Sequence, residues 1–467
     1  MKNTLIKNVC FVFVFILFFA SCQKQVSTPA LPEEISTAAN SQSKHGHLQQ
    51  TKTFSSDVAS KWLGMQLQLM KAAPTAAANV AFSRHYAYTG ITLYESVVPG
   101  MPSFQSVASQ LNGLSGLPQT TPGFGYHWEA SANAALASIT RKMFPAASDA
   151  NKAAIDALEN TLQQQYSSDA SSDIINRSVD FGKAVAQKVF EWASTDGYAA
   201  AFAANQNVAF TYPSNVTPGS HLWVPPAAWN IQTAPYWGNL RRIVPGSGNG
   251  AQPDAPPAYS TDPSSNFYKM VKEVYNMSPV AGSPEINMAL WWRDVPGTTT
   301  PGHYVSILKQ VLENDKPTLD VAALAYAKAG IMVYDASIST WQTKFTYYLV
   351  RPVTYIQTVI GHTTWAPSLV NTPPHPEYPS AHSTLSAANA EALTEVFGDD
   401  HAVTDNTFEY MWPGSTRSYS SFNAIAEEAG LSRLYGGIHY RNSIDVGLWQ
   451  GRKVANNIIS TLKFLKE

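Results

Sequence analysis

Charge is scarce in this chain. Only 14% of its 467 residues are charged and the formal net charge is −2, whereas charged residues usually make up about a quarter of a soluble protein. A net charge this near zero excludes a protein that binds nucleic acid through a general excess of positive charge. The hydrophobic share of 45% excludes a disordered chain. Internal repeats of 20–50 residues are also lacking, which excludes solenoid and propeller architectures.

Cysteine is absent from almost the whole chain. Cys10 and Cys22 are the only two, so no disulfide can staple the residues that follow, and the domain must be stabilised by its core. Lys2 and Lys7 precede an apolar run over residues 9–20. This run is short for a membrane span but has the length of the hydrophobic part of a signal peptide.

The run ends in Phe19-Ala20-Ser21-Cys22, which resembles a bacterial lipoprotein signal whose cysteine becomes the lipidated first residue. We therefore predict a signal peptide over residues 1–22 and, because residues 23–55 are rich in Ser, Thr, Gln, Ala and Pro, a flexible tether after it. The protein would be exported and lipid-anchored through Cys22 to the bacterial cell envelope, at the outer membrane or its periplasmic face. A plain secretory signal with an incidental cysteine is the alternative.

Apolar residues recur with a period of about 3.6 through most of the remaining chain, which predicts amphipathic helices. Residues 196–264 differ, because they are dense in Pro, Gly, Trp, Tyr and Asn and lack a helical period. We interpret them as a long irregular wrap, since a loop of this length is often functional. The expected fold is all-α, with residues 56–467 forming a single domain of two packed four-helix-type bundles.

Chemistry-bearing residues concentrate in the C-terminal third. Lys344 and Arg351 are seven residues apart and would share one face of a helix, with Arg351 at a helix end because Pro352 follows it. Ser380 is a natural N-cap, and the free amides of Ala381 and His382 would then form an anion site at a helix start.

Arg433 and His439 complete this polar set. Three cations near one another would be strained without an anion, since two like charges 4 Å apart repel by about 4 kcal/mol at an effective dielectric constant of 20. A hydroxyl, helix-start amides and two histidines beside them suit a tetrahedral oxyanion.

Three short motifs carry a family resemblance. Lys344 to Pro352 reads Lys, six residues, Arg-Pro; residues 379–382 read Pro-Ser-Ala-His; and Ser432 to His439 reads Ser-Arg, five residues, His. In this order they resemble the vanadium-dependent haloperoxidases and their relatives, the type 2 phosphatidic acid phosphatases. Segments around residues 84–96, 223–237 and 291–303 extend the resemblance over roughly residues 57–464, and it implies an all-α fold of two four-helix bundles.

The resemblance also implies a role for each matching residue. Lys344, Arg351 and Arg433 would bind the equatorial oxygens of vanadate, and Ser380 and the Ala381 amide would add hydrogen bonds. His439 would coordinate the metal axially, and His382 would be the acid–base group. The implied reaction oxidises halide with hydrogen peroxide to hypohalous acid, which halogenates small organic acceptors.

Two positions depart from the family pattern. Ala381 replaces the usual glycine, which costs roughly 1–2 kcal/mol if its φ must be positive and little if it is the first helical residue. Ser443 stands where phosphatases of the superfamily carry the Asp that orients the last histidine, which disfavours a phosphatase. His375 matches a position where bromoperoxidases have His and chloroperoxidases Phe, so it favours bromide or iodide over chloride.

Two other functions stay open. The first is a soluble acid phosphatase, in which the same cage of Lys344, Arg351, Ser380 and Arg433 holds phosphate. His439 would then be the nucleophile and His382 would protonate the leaving group. A lipoprotein that binds an oxyanion without catalysis is the third reading, although the complete Lys, Arg, Ser, His, Arg, His set argues against it.

Overall fold

A computed structural model describes residues 49–73, 79–202, 207–209, 231–277, 279, 281–295, 298–368 and 372–467. The predicted signal peptide, Cys22 and most of the tether lie outside these residues and stay predictions. At the end of the tether segment, Thr51 and Phe54 are already buried, and the Thr51 hydroxyl donates to the Val97 carbonyl at 2.8 Å. The packed part of the chain therefore begins a few residues before position 56.

The described residues are mainly α-helical, as the periodicity predicts. The helices are α1 (Asp57–Ala72), α2 (Ala81–Val97), α3 (Trp128–Met143), α4 (Asp149–Tyr166), α5 (Ser172–Ala193), α6 (Tyr198–Phe202), α7 (Asn266–Asn276), α8 (Pro284–Trp291), α9 (Thr300–Asp315), α10 (Leu319–Tyr347), α11 (Pro352–Tyr355), α12 (Ala381–Phe397), α13 (Phe422–Tyr435) and α14 (Arg441–Thr461). The short helices α6, α8 and α11 have too few turns to show a period, so the sequence analysis did not predict them.

Strand structure is limited, in the described residues, to two small antiparallel pairs. Strands β1 (Asn207–Ala209) and β2 (Ile231–Thr233) pair with Val208 opposite Gln232. Strands β3 (Val403–Asp405) and β4 (Arg417–Tyr419) pair with Thr404 opposite Ser418. Neither pair forms a layer of the fold, so the core is made by helices.

The helices pack as two groups that meet at α10. Helices α1, α2, α3 and α5 pack together, and so do α10, α12, α13 and α14, while α10 also lies along α2. Two glycines allow this close approach: a Cβ on Gly90 would be 2.5 Å from the Tyr326 carbonyl oxygen, and one on Gly330 would be 2.7 Å from Cα of Ala87. By length and composition the stretch Leu319–Ile360 could cross a membrane, but 89% of its apolar window is buried in this core.

The described part of the wrap is fastened across α10. The buried Asp335 carboxylate accepts hydrogen bonds from the backbone amides of Ile243 at 2.7 Å and Val244 at 3.0 Å. The Trp237 indole donates to the Ser337 hydroxyl at 2.9 Å. Because these bonds satisfy buried polar groups of α10, the wrap closes one side of the helix whose C-terminal end carries Lys344.

Candidate active site

Lys344 lies in the last turn of α10 and is fully buried. Its ammonium donates to three backbone carbonyls, those of Pro376 at 2.8 Å, Glu377 at 3.0 Å and Pro379 at 2.5 Å. Burial and the nearby Arg351 charge lower the pKa of Lys344 well below its ordinary value. Through these three bonds the ammonium holds the segment before α12, and an anion bound nearby would favour its charged form.

Arg351 does not share a helix face with Lys344, so that expectation is wrong. Helix α10 ends at Tyr347, because Tyr348 takes a left-handed conformation with φ of 51°, and Arg351 is the N-cap of the short helix α11. Its guanidinium donates to the carbonyls of His375 at 3.1 Å and Ile438 at 2.8 Å. Burial lowers the pKa of Arg351 to about 10.

Ser380 caps α12, as its position before the helical pattern predicts. Its hydroxyl oxygen accepts from the Ser383 amide at 3.3 Å, and Ala381 is the first helical residue. The φ angle of Ala381 is not positive. The alanine in place of glycine is therefore accommodated at little cost. Ala381 and His382, the first two residues of α12, both line the cavity of the site, and the first amides of a helix have no partner within the helix.

Arg433 and His439 approach from the other side of the site. Arg433 lies near the end of α13 and donates to the Ser432 hydroxyl at 3.1 Å and to the Ala289 carbonyl at 3.3 Å. His439 lies just before α14, with Nε2 3.1 Å from Nη1 of Arg351. Its Nδ1 lies 2.8 Å from a carboxylate oxygen of Glu377.

The three cations form no ion pair with a carboxylate in the described part of the chain. Glu377 and Asp294 act on them electrostatically, Glu377 on Lys344 and Arg351 and Asp294 on Arg433. Burial lowers the pKa of Arg433 to about 10, and burial with the Arg351 charge lowers the pKa of His439 well below its ordinary value. Three buried cations against two carboxylates leave an uncompensated positive charge, which a bound anion would stabilise.

His382 lies on the first turn of α12, close to the segment between α8 and α9. Its Nε2 is 2.9 Å from the Trp292 carbonyl oxygen and 3.0 Å from the Thr300 hydroxyl. Because a carbonyl can only accept, Nε2 carries the proton and Nδ1 holds the lone pair. Burial and the Arg433 charge lower the pKa of His382 well below its ordinary value, so the ring is a neutral base near pH 7.

A cavity of about 40 Å³ lies beside the three histidines of the site, and the three cations lie behind its walls. It is large enough for a water-sized group, and its walls include His375, His382, His439, Ala381 and Trp341. His375 Nδ1 lies 3.1 Å from Nη2 of Arg351, which can only donate, and the Pro376 oxygen at 3.3 Å is the weaker contact. The His375 proton is therefore on Nε2.

The structure brings together every predicted site residue and adds several that the sequence analysis did not single out. These are Glu377 beside His439, Trp292, Asp294 and Thr300 around His382, and Trp341, whose ring centre is 5.4 Å from that of His375. Trp341 had a usable signal, because it is three residues before Lys344 on the same helix face. Glu377 had none, since its contact with His439 joins positions 62 residues apart.

A buried contact between His303 and Asp405 supports the wall behind His382. His303 stacks on Trp292 with ring centres 4.3 Å apart, and its Nε2 lies 2.7 Å from Asp405 Oδ2. Burial opposes ionisation of Asp405, but the His303 charge and hydrogen bonds from His303 and Thr407 outweigh it and lower its pKa to about 2. The folded protein thus holds this carboxylate in its charged form.

We expect this pair to contribute acid-dependent stability. The pKa of Asp405 is about 2 in the folded state against an ordinary 3.8. Ionised Asp405 therefore adds roughly 2 kcal/mol to the free energy of unfolding. This stabilisation is fully present above pH 3.8 and is lost as the pH falls to about 2. Denaturant titrations of Asp405→Asn should therefore show a deficit against the wild type that narrows across this window. The exposed Asp400→Asn is the control, and a pH-independent deficit for Asp405→Asn would contradict the expectation.

Comparison with known proteins agrees with this architecture and site. A family model described as the VCPO second helical-bundle domain matches residues 325–466, which contain every residue of the cage. The solved structure titled as the first bacterial vanadium-dependent iodoperoxidase is 30% identical, with a TM-score of 0.78, covering 89% of this chain and 98% of that chain. A holo-type bacterial vanadium-dependent chloroperoxidase is 14% identical, with a TM-score of 0.61, covering 85% of this chain and 95% of that one. No curated protein sequence matches.

The fold and the site define a helical-bundle protein in which three cationic side chains, Lys344, Arg351 and Arg433, are buried close to His439. The match to the iodoperoxidase structure, at 30% identity over 89% of this chain, identifies the family. The chain belongs to the vanadium-dependent haloperoxidases, a family of peroxidase enzymes.

Proposed function

We propose that this protein binds vanadate in the cage and oxidises halide with hydrogen peroxide to hypohalous acid, which then halogenates small organic acceptors. One observation carries the proposal: three buried cations lie close to a histidine lone pair, and none of the three has an ion-pair partner in the described residues. Family membership supports the same reaction. Bound vanadate would supply a Lewis acid that activates peroxide.

The residues present fit vanadate by their chemistry. Lys344, Arg351 and Arg433 offer positive charge, and the Ser380 hydroxyl and the first amides of α12 offer hydrogen bonds to oxygen atoms. The Nε2 atom of His439 faces a guanidinium and holds a lone pair, so it can coordinate a metal. Together these groups would bind the anion, hold its orientation and withdraw electron density from it.

His382 is suited to accept and return a proton. The Trp292 carbonyl holds the proton on Nε2, so Nδ1 is the basic atom. Burial keeps the ring neutral and able to take the proton that hydrogen peroxide releases on binding. Thr300 and Trp292 fix the ring in place from the side of α9.

His375 would set the halide preference. Arg351 holds its Nδ1 as an acceptor, which leaves Nε2–H as a donor on a residue that lines the cavity, beside the Trp341 ring. A hydrogen-bond donor next to a polarisable aromatic wall suits bromide and iodide, so we propose that both are oxidised more readily than chloride. The likeness to an iodoperoxidase structure favours iodide.

Phosphate hydrolysis is the second candidate, because one observation removes the sequence argument against it. The missing Asp at position 443 disfavours a phosphatase only if His439 lacks a carboxylate partner, and Glu377 supplies one. His439 could then act as a nucleophile toward a phosphomonoester held by the same cations.

One experiment tests both candidates. The protein is loaded with orthovanadate, and oxidation of iodide, bromide and chloride by hydrogen peroxide is measured beside phosphate release by the vanadate-free protein. We expect vanadate-dependent oxidation of iodide and bromide. Phosphate release that vanadate inhibits, without halide oxidation, would establish the phosphatase, and silence in both assays would leave an oxyanion-binding protein.

We also expect His382→Ala to separate catalysis from binding. The rate should fall by roughly 10²–10⁴-fold, because general acid–base catalysis is worth about that much. The vanadate dissociation constant should change by less than about tenfold, since the three cations remain. Rates at saturating vanadate and equilibrium dialysis measure the two quantities. The control is His401→Ala, at a partly exposed histidine that does not line the cavity. Loss of vanadate binding in His382→Ala would instead make His382 a ligand of the anion.

A further inference from the structure

The protonation state of His439 is set by its two neighbours. Nε2 lies 3.1 Å from a guanidinium nitrogen of Arg351, which can only donate, so Nε2 is an acceptor. The single proton of the neutral ring is therefore on Nδ1, which donates to Glu377 Oε1 at 2.8 Å. This tautomer turns the lone pair toward the cations.

Glu377 accepts hydrogen bonds on both carboxyl oxygens. Burial raises the pKa of Glu377 to about 7, and the Arg351 charge with the hydrogen bonds from Ser443 and Tyr440 acts in the opposite direction and favours the carboxylate. The Tyr440 amide donates to Oε1 at 3.0 Å, and the Ser443 hydroxyl donates to Oε2 at 2.6 Å. Ser443 stands at the position four residues after His439 where related phosphatases carry the orienting Asp. Here that position holds a hydroxyl that secures a carboxylate from another part of the chain.

We propose that Glu377 is the positioning residue for His439 and replaces the Asp that position 443 lacks. The carboxylate comes from the segment before α12 rather than from α14, and it fixes the tautomer and orientation of the ring and raises the basicity of Nε2. Lys344 holds this segment in place through the carbonyls of Pro376, Glu377 and Pro379. The inference rests on the proposed role of His439 as the residue that coordinates vanadate.

The cofactor-free protein tests the first half of the proposal without any variant of Glu377. We expect ¹⁵N NMR of labelled imidazoles to show His439 as one neutral tautomer with its proton on Nδ1, assigned by the loss of its signals in His439→Ala. A proton on Nε2, or an even mixture of tautomers, would overturn the proposal.

Relocating the carboxylate tests the second half. Glu377→Gln keeps size and an acceptor oxygen but removes the charge, so the vanadate dissociation constant should rise by about 10–100-fold. Adding Ser443→Asp to this variant returns a carboxylate from the α14 side and should recover most of the affinity. Ser443→Ala is the matched control, because it removes one hydrogen bond to Glu377 and leaves the charge, and it should change affinity by less than about tenfold.

Two results of the binding series would overturn the proposal: wild-type affinity in Glu377→Gln, or a double variant that folds but binds no better than Glu377→Gln. Thermal unfolding of each variant establishes that it folds. The outcome is separate from that of the proposed function, because neither the tautomer nor vanadate binding requires halide oxidation. A protein that passes both tests but oxidises no halide would keep Glu377 as a positioning residue and lose only the peroxidase assignment.

Discussion

His439→Ala is expected to remove both vanadate retention and halide oxidation. His439 is the histidine whose Nε2 lone pair faces the Arg351 guanidinium, and alanine offers no ligand in its place. Loss of a residue that merely supports a ligand costs about 10–100-fold in affinity or activity, so loss of the ligand itself should cost at least about 100-fold in each. Equilibrium dialysis with vanadate and the initial rate of iodide oxidation measure the two effects.

The matched control is His362→Ala, because His362 is an exposed histidine outside the cage. It should bind vanadate and turn over like the wild type. Circular dichroism should show both variants folded, since Glu377 keeps the Tyr440 and Ser443 donors when His439 is removed. Full turnover by His439→Ala would refute the assignment of the site.

A large loss of stability is expected from Gly451→Ala. Helix α14 crosses α12 so closely that a Cβ at Gly451 would lie 2.1 Å from the Thr384 carbonyl oxygen and 2.9 Å from Cβ of Ala387. Backbone must move to relieve this contact, and such overpacking costs about 3 kcal/mol. Denaturant titration should show a lower free energy of unfolding. Because Ser380 and His382 begin α12, vanadate affinity should fall as well.

The control is Gly64→Ala, a second glycine-to-alanine change inside a helix, which we expect to cause no loss of stability. Gly64 lies inside helix α1, and a Cβ there would meet only the flexible end of Lys309, at 3.3 Å. Alanine is the better helix former by up to about 1 kcal/mol, so this variant should be equally or more stable. If both variants lost the same stability, helix crossing would not be the reason for Gly451.

Local pattern was sufficient for much of the fold. Apolar periodicity predicted the long helices, and the Ser380 N-cap is observed with its hydrogen bond to the Ser383 amide. Prediction failed where the backbone turned: the spacing of Lys344 and Arg351 suggested one helix, but the left-handed conformation of Tyr348 ends α10 before Arg351. Two residues that are seven positions apart can lie on one helix face or on either side of a turn, and their spacing cannot distinguish these arrangements.

The residue types of the cage follow from three short motifs, because a motif records which groups the chemistry needs. Their protonation does not follow, since it depends on neighbours distant along the chain. Arg351 and Glu377 together fix the proton of His439 on Nδ1, and the Trp292 carbonyl fixes that of His382 on Nε2. Composition and motif thus predicted an all-α protein with an oxyanion cage. Only the tertiary structure brings Glu377 into contact with His439. A hydrogen bond depends on distances of a few ångströms, which residue spacing does not encode.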